Sequence, residues 1–253
     1  MASFIQLLVS GLATGAIYAI IAIGFTLVWQ TSQTINFAQG EFVMLPAFFV
    51  LAAMNIGAPF WLAILIALAL SIAILGVLFK KVLVDPMIQY GLLPLVISTL
   101  ALSLFMKEMV KDFYSSQAQP FPTLVPAHDI HFFGAVISTQ SLLVLAVAVV
   151  TVVGLHVLLN KTRVGRQMQA TAQNPTLARI LGIPVQRMVL YTFVTNAVLA
   201  VIASLLISPI YLAKFTNGET LGIAAFVAAI IGGFNQVRGA IVGGLILGVL
   251  DSL

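Results

Sequence analysis

The sequence has no cysteine, and only 7% of its residues are charged. The first absence excludes disulfides, thiol catalysis and cysteine metal sites, and it leaves the redox compartment unread. The second excludes a water-soluble fold. Soluble domains carry about 25% charged and about 45–50% apolar residues, whereas this chain is 61% hydrophobic. Its 11 Lys and Arg and 7 Asp and Glu cannot cover the surface of a particle this size in water, so lipid must cover the rest. The net charge of +4 does not point to nucleic acid, because the basic residues are not interleaved with aromatics on a polar face.

What is present is a series of apolar runs. About 20 apolar residues cross a hydrocarbon layer of roughly 30 Å, and the runs lie at 4–28, 42–53, 60–79, 91–106, 141–159, 188–212, 221–234 and 240–253. The first has no basic stretch before it and no small-residue cleavage site, and it is too long for a signal peptide. It is a retained span. The runs are continuously apolar, without the alternation of a β-barrel. The expectation is therefore an all-α, polytopic membrane protein with about eight hydrophobic segments. Some of them must be broken or re-entrant, because backbone polar groups in lipid have to be satisfied internally. A single transmembrane domain over 1–253 is expected.

Cytoplasmic loops carry the excess of Lys and Arg. The loop 160–187 holds Lys161, Arg163, Arg166, Arg179 and Arg187 and no acid, which places it in the cytoplasm. Counting back puts 107–139, with its prolines, His128 and His131, outside. One more step puts Lys80 and Lys81 inside, which agrees. The side of the amino terminus depends on whether 42–53 crosses.

Within the basic loop, 174–182 predicts a short helix: Asn174 as N-cap, Pro175 at the first helical position and Gly182 just past the end. Leu177, Ile180 and Leu181 share one apolar face. Such a face suits a partner protein or, equally, a membrane surface flanked by Arg163, Arg166 and Arg187. Asn36, Gln39, Gly40 and Glu41 sit between two apolar runs and suit a helix break with Gly40 to relax the backbone. Glu41 is read as a first-turn carboxylate favoured by the helix dipole, with substrate contact and a packing or gating role as alternatives. Gly239 with Gly243, Gly244 with Gly248, and Gly11 with Gly15 place small residues one turn apart for close helix approach. A partner-permease interface is the sharper reading of those glycines. His128 and His131, with only Asp129 nearby, do not make a metal site, and none is expected. His156 is structural.

Ile35-Asn36-Phe37-Ala38-Gln39-Gly40-Glu41-Phe42 resembles the signature that follows the first helix in permease subunits of branched-chain amino acid ABC importers. The stretch from Arg163-Val164-Gly165-Arg166 to Ala178-Arg179-Ile180-Leu181-Gly182-Ile183 is similar to the coupling region of that family. Gly222 to Phe226, Ile231 to Phe234 and Arg238 to Gly244 resemble its C-terminal region.

The resemblance implies pairing with a second, related permease, two cytoplasmic ATPase subunits and an external substrate-binding protein. Residues 175–181 become a coupling helix seated in an ATPase groove. No Gly-x-x-x-x-Gly-Lys-Ser/Thr motif occurs here, so ATP and Mg belong to partner subunits and the chain itself is no enzyme. Gln39 stands where the family signature has His, which removes a titratable group. The chain stops at Asp251-Ser252-Leu253, where the family continues into one more hydrophobic segment. The implied cargo is a branched-chain amino acid, with urea or short amides as the alternative. A path lined by the first helix, the 36–41 break, Pro209 and Gly232–Gly233 is expected. An ion-coupled secondary transporter is the competing class, although only Glu41 and Asp251 come close to supplying the intramembrane acid it would need. A scaffold without transport is a third.

Overall fold

The computed structural model describes residues 2–126, 129–132 and 135–253. Helices dominate: α1 (Ala2–Ser32), α2 (Gln39–Asn55), α3 (Phe60–Ser71), α4 (Asp85–Met87), α5 (Leu92–Phe113), α6 (Thr139–Lys161), α7 (Arg163–Gln173), α8 (Pro175–Ile180), α9 (Val185–Tyr211), α10 (Asn217–Gly232) and α11 (Val237–Ser252). A small antiparallel hairpin, β1 (Asp129–Phe132) and β2 (Ala135–Ser138), precedes α6. Five helical stretches are long and apolar enough to cross a membrane. The all-α membrane architecture read from the apolar runs is the one observed.

Several boundaries differ from the sequence reading. The third segment does not stop at Lys80 and Lys81. It continues through wide π-type turns at Ile72–Leu78 and Lys80–Val84 into α4 and a last tight turn at Ile88–Tyr90. The lysine is no obstacle because Lys80 is buried and donates to Asp85 Oδ2 at 2.8 Å and Gln186 Oε1 at 3.0 Å. Gly91, at φ 98°, then turns the chain into α5. That helix runs past Met106 through Lys107 and Lys111, whose charges are met by Glu219 at 2.7 Å and Glu108 at 2.8 Å. The basic loop holds two helices rather than one: α7 precedes α8, with Thr162 Oγ1 accepting from Gly165 N–H at 2.9 Å. Pro209 causes no break, since α9 continues over it and ends at Tyr211.

The 17-residue α2 and 16-residue α10 are each about 25 Å long at ~1.5 Å per residue, short of the hydrocarbon thickness. Both begin inside the bundle. Gln39 bonds to Asn196, midway along α9, and Gly40 lies against the carbonyl of Gly218 in the first turn of α10. From that junction the two half-helices run to opposite sides. The far end of α2 meets the end of α5, where Asn55 donates to Tyr114 Oη at 3.0 Å. The far end of α10 meets the start of α11, beside Asn235, whose carbonyl accepts from Gln30 at 2.6 Å.

The largest helix–helix seam joins α1 and α11, which run antiparallel. A methyl group on Gly15 would stand 2.8 Å from the Gly244 carbonyl and 2.9 Å from Leu245 Cα, and one on Gly11 2.9 Å from the Gly248 carbonyl. On its other side, α11 presents Gly239 and Gly243 to Gly232 and Ala228 of α10. Both glycine stripes of α11 are therefore filled from within the chain, by α1 and by α10. Neither is open to a second permease.

Candidate functional site

Three polar elements meet where α2 and α10 begin. The six residues between α1 and α2 turn the chain back: Gln33 has φ 52°, Asn36 Oδ1 accepts from Ala38 N–H at 3.0 Å, and Phe37 N–H donates to Thr99 Oγ1 of α5 at 3.3 Å. Gln39 and Asn196 then form a reciprocal amide pair. Gln39 Nε2 donates to Asn196 Oδ1 at 2.7 Å, and Asn196 Nδ2 donates to Gln39 Oε1 at 2.8 Å. Both side chains are buried, so each satisfies the desolvated polar group of the other. Gly24 of α1 makes room, since a methyl there would press on both amides.

Glu41, 1% exposed, lies in the first turn of α2. Its Oε1 accepts from Ser103 Oγ of α5 at 3.3 Å, while Oε2 has no hydrogen-bond partner among the described residues. The carboxylate rests against the backbone of Gly218, in the first turn of α10. One acid thus faces the positive ends of two helix dipoles. The Lys107–Glu219 pair sits beside it, one turn further along α5 from Ser103. Gly40 is helical and its role is contact: a side chain there would strike the Gly218 carbonyl and come within 2.9 Å of Gly222 Cα. Backbone relaxation, the role expected of it, is supplied by Gln33 instead.

The residues named from the sequence are brought together selectively. Asn36, Gln39, Gly40 and Glu41 join one buried centre. Pro209 and Gly232–Gly233 do not; they sit near the far ends of α9 and α10. Asn196, Ser103, Gly24 and Gly218 complete the centre without having been singled out. Asn196 carried a signal, being an amide in the middle of an apolar span.

At the basic side, Asn174 Oδ1 caps α8 by accepting from Leu177 N–H at 2.9 Å, and Gly182 closes it at φ 77°. Ala178 is buried against the bundle, while Leu177, Ile180 and Leu181 are 51%, 76% and 69% exposed. Gln186, at the start of α9 just beyond α8, is the residue gripped by Lys80. His128 lies outside the described residues. Among the described residues no group of three or more His, Asp or Glu gathers that would hold a metal ion.

A family model described as branched-chain amino acid transport system, permease component, matches residues 7–253. The chain is 32% identical over 262 residues to the high-affinity branched-chain amino acid transport system permease protein BraD of Pseudomonas aeruginosa, covering 98% of this chain and 85% of that protein. It is 31% identical over 269 residues to LivH of Escherichia coli, a permease protein of the same description, covering 99% and 85%. The fructose import permease protein FruG of Bifidobacterium longum is 29% identical over 252 residues, covering 92% and 71%. No solved structure matches the chain. With its membrane-spanning helices and a match over nearly its whole length, the chain belongs to the family of permease components of branched-chain amino acid transport systems.

Proposed function

We propose that the chain is the membrane-embedded permease of an ATP-driven importer for leucine, isoleucine and valine, working beside a second permease, two ATPase subunits and an external binding protein. The carrying observation is the capped α8 with Leu177, Ile180 and Leu181 exposed on the basic side. An apolar face on a rigid two-turn helix gives an ATPase subunit something to grip. The chain supplies no phosphate-binding loop of its own, so ATP and Mg reside on that partner.

In this reading the basic side is cytoplasmic, and 160–187 is the coupling loop within one permease domain of 1–253. Movement of α8 passes through Gln186 to Lys80 and the π-type stretch that follows α3, and through α9 to Asn196. The centre of Asn36, Gln39, Gly40 and Glu41 is where the two half-helices can change their angle, beside the solute path. Helix N-termini near the bilayer midplane are a recurring place for solute recognition in transporters. The names of BraD and LivH support branched-chain amino acids as cargo, while FruG keeps a different cargo in view.

The test is uptake into proteoliposomes holding this chain with its partner subunits and ATP inside, using leucine, urea and fructose. Leucine accumulation that stops without ATP supports class and cargo together. Uptake of urea or fructose in its place keeps the class and replaces the cargo. Flux through this chain alone without ATP overturns the importer reading in favour of an ion-coupled carrier.

A further inference from the structure

A cavity of about 950 Å³ opens at the basic side between α1, α6, α7 and α11, with Thr192 of α9 also in its wall. Its lining changes character with depth on three helices at once. Gln30 on α1, His156 and Asn160 on α6 and Arg238 on α11 stand at the outer end; Leu27, Val152 and Ile241 stand one turn deeper on the same helices. Such a gradient suits a molecule with a polar head and an apolar tail.

Charge narrows the head. No Asp or Glu lines the cavity, and Arg238 is the one Lys or Arg that does. Arg238 makes no ion pair among the described residues. Part of the polar rim is already satisfied within the protein: Asn160 bonds to the His156 ring at 3.1 Å, and Gln169 donates to Asn160 Oδ1 at 3.2 Å. Gln173, Gln236 and Arg238 remain to meet an anion.

Geometry narrows the tail. Val153 lines the cavity and is 56% exposed, on a face of α6 that also exposes Val149 and Val150. The apolar end therefore opens onto a face available to acyl chains. The volume is several times that of one amino acid, which argues against a fitted site for a transported solute.

We propose that this cavity is a binding site for a phospholipid with an anionic headgroup, the phosphate held by Arg238 with Gln173 and Gln236, and an acyl chain lying along Leu27, Val152, Val153 and Ile241. Basic pockets between membrane helices at the cytoplasmic face recognise acidic headgroups in this way. A lipid here braces the start of α11 against α6, which leads into the coupling loop, and against α7, which lies within it. The proposal does not depend on which solute is carried.

The test is native mass spectrometry of the protein in its membrane assembly, stripped of lipid and titrated with equal amounts of phosphatidylglycerol and phosphatidylcholine. The protein retains phosphatidylglycerol preferentially. Arg238→Gln, an exposed position, lowers that preference about fivefold, the equivalent of ~1 kcal/mol for one basic residue at a membrane surface. Ala172→Trp, which fills the cavity mouth without changing charge, lowers binding of the lipid, and Arg166→Gln, outside the lining, changes neither. Equal retention of the two lipids, or an unaltered preference in Arg238→Gln, overturns the proposal. Displacement of the lipid by free leucine or by inorganic phosphate also overturns it and marks the cavity as a site for a soluble anion.

Discussion

Gln39 and Asn196 hold each other through two amide hydrogen bonds across 157 residues of sequence, with no water-facing edge on either side chain. An amide deprived of its mate in that setting keeps its desolvation cost and loses its compensation. Asn196→Leu should therefore destabilise the protein by about 1–3 kcal/mol. Replacing both with leucine should recover part of the loss, because no buried polar group is then orphaned. Thermal unfolding in detergent of the two single variants and the double variant measures the difference. A double variant less stable than the sum of the singles would show that the pair is not the unit described here.

Gly15 and Gly154 are both glycines in long helices, yet their surroundings differ. A methyl on Gly15 meets the backbone of α11, while one on Gly154 meets nothing within 4 Å. Gly15→Ala should cost about 1–3 kcal/mol through forced separation of the helices. Gly154→Ala should leave the melting temperature unchanged or slightly higher. The same melting experiment reads both.

Leu177→Asp and Ile180→Asp put charges on residues that are 51% and 76% exposed. They should leave membrane insertion and melting intact while reducing co-purification of ATPase subunits at least tenfold, as loss of an apolar anchor at an interface does. Unchanged co-purification removes α8 from the coupling role.

Lys80 ties Asp85 and Gln186 together from a buried position. Hydrogen bonds to a charged group contribute about 1.5–3 kcal/mol, and the partial exposure of Asp85 places this one at the lower end. Lys80→Met should keep the helix and lose the strut. The assembled importer should then go on hydrolysing ATP while uptake falls. Equal falls in hydrolysis and uptake would mean that Lys80 supports folding and does not transmit motion.

The sequence made the apolar helices legible because lipid imposes one rule along the whole chain. It also made α8 legible, since Asn174, Pro175 and Gly182 act locally. The helix α7 was hidden because Arg163–Gln173 is mostly polar and reads as loop; its order comes from Thr162 and from contacts of α7 with α6 and α9. The extents of α3 and α5 were hidden for a related reason. Charges at 80, 107 and 111 mark helix ends only when they have no partner; Glu108 lies one helical turn from Lys111, but Glu219 reaches Lys107 only through tertiary packing, and Asp85 meets Lys80 only once the helix continues past it. At the centre, Gln39 and Glu41 stood out as polar residues between apolar runs. Asn196, Ser103 and Gly218 became their neighbours only through tertiary packing.

The α1–α11 seam has a consequence for biosynthesis. Ser252 of α11 donates to the Leu7 carbonyl of α1, 245 residues earlier, so the glycine stripe of the first helix leaves the ribosome long before its cover exists. During that interval Gly11 and Gly15 face lipid or an insertion factor, and the half-helix α10, which packs on both α1 and α11, lacks one wall of its berth. Emergence of α11 is then the step that commits the chain, and a nascent chain arrested before it should be the form that membrane quality-control proteases cut first.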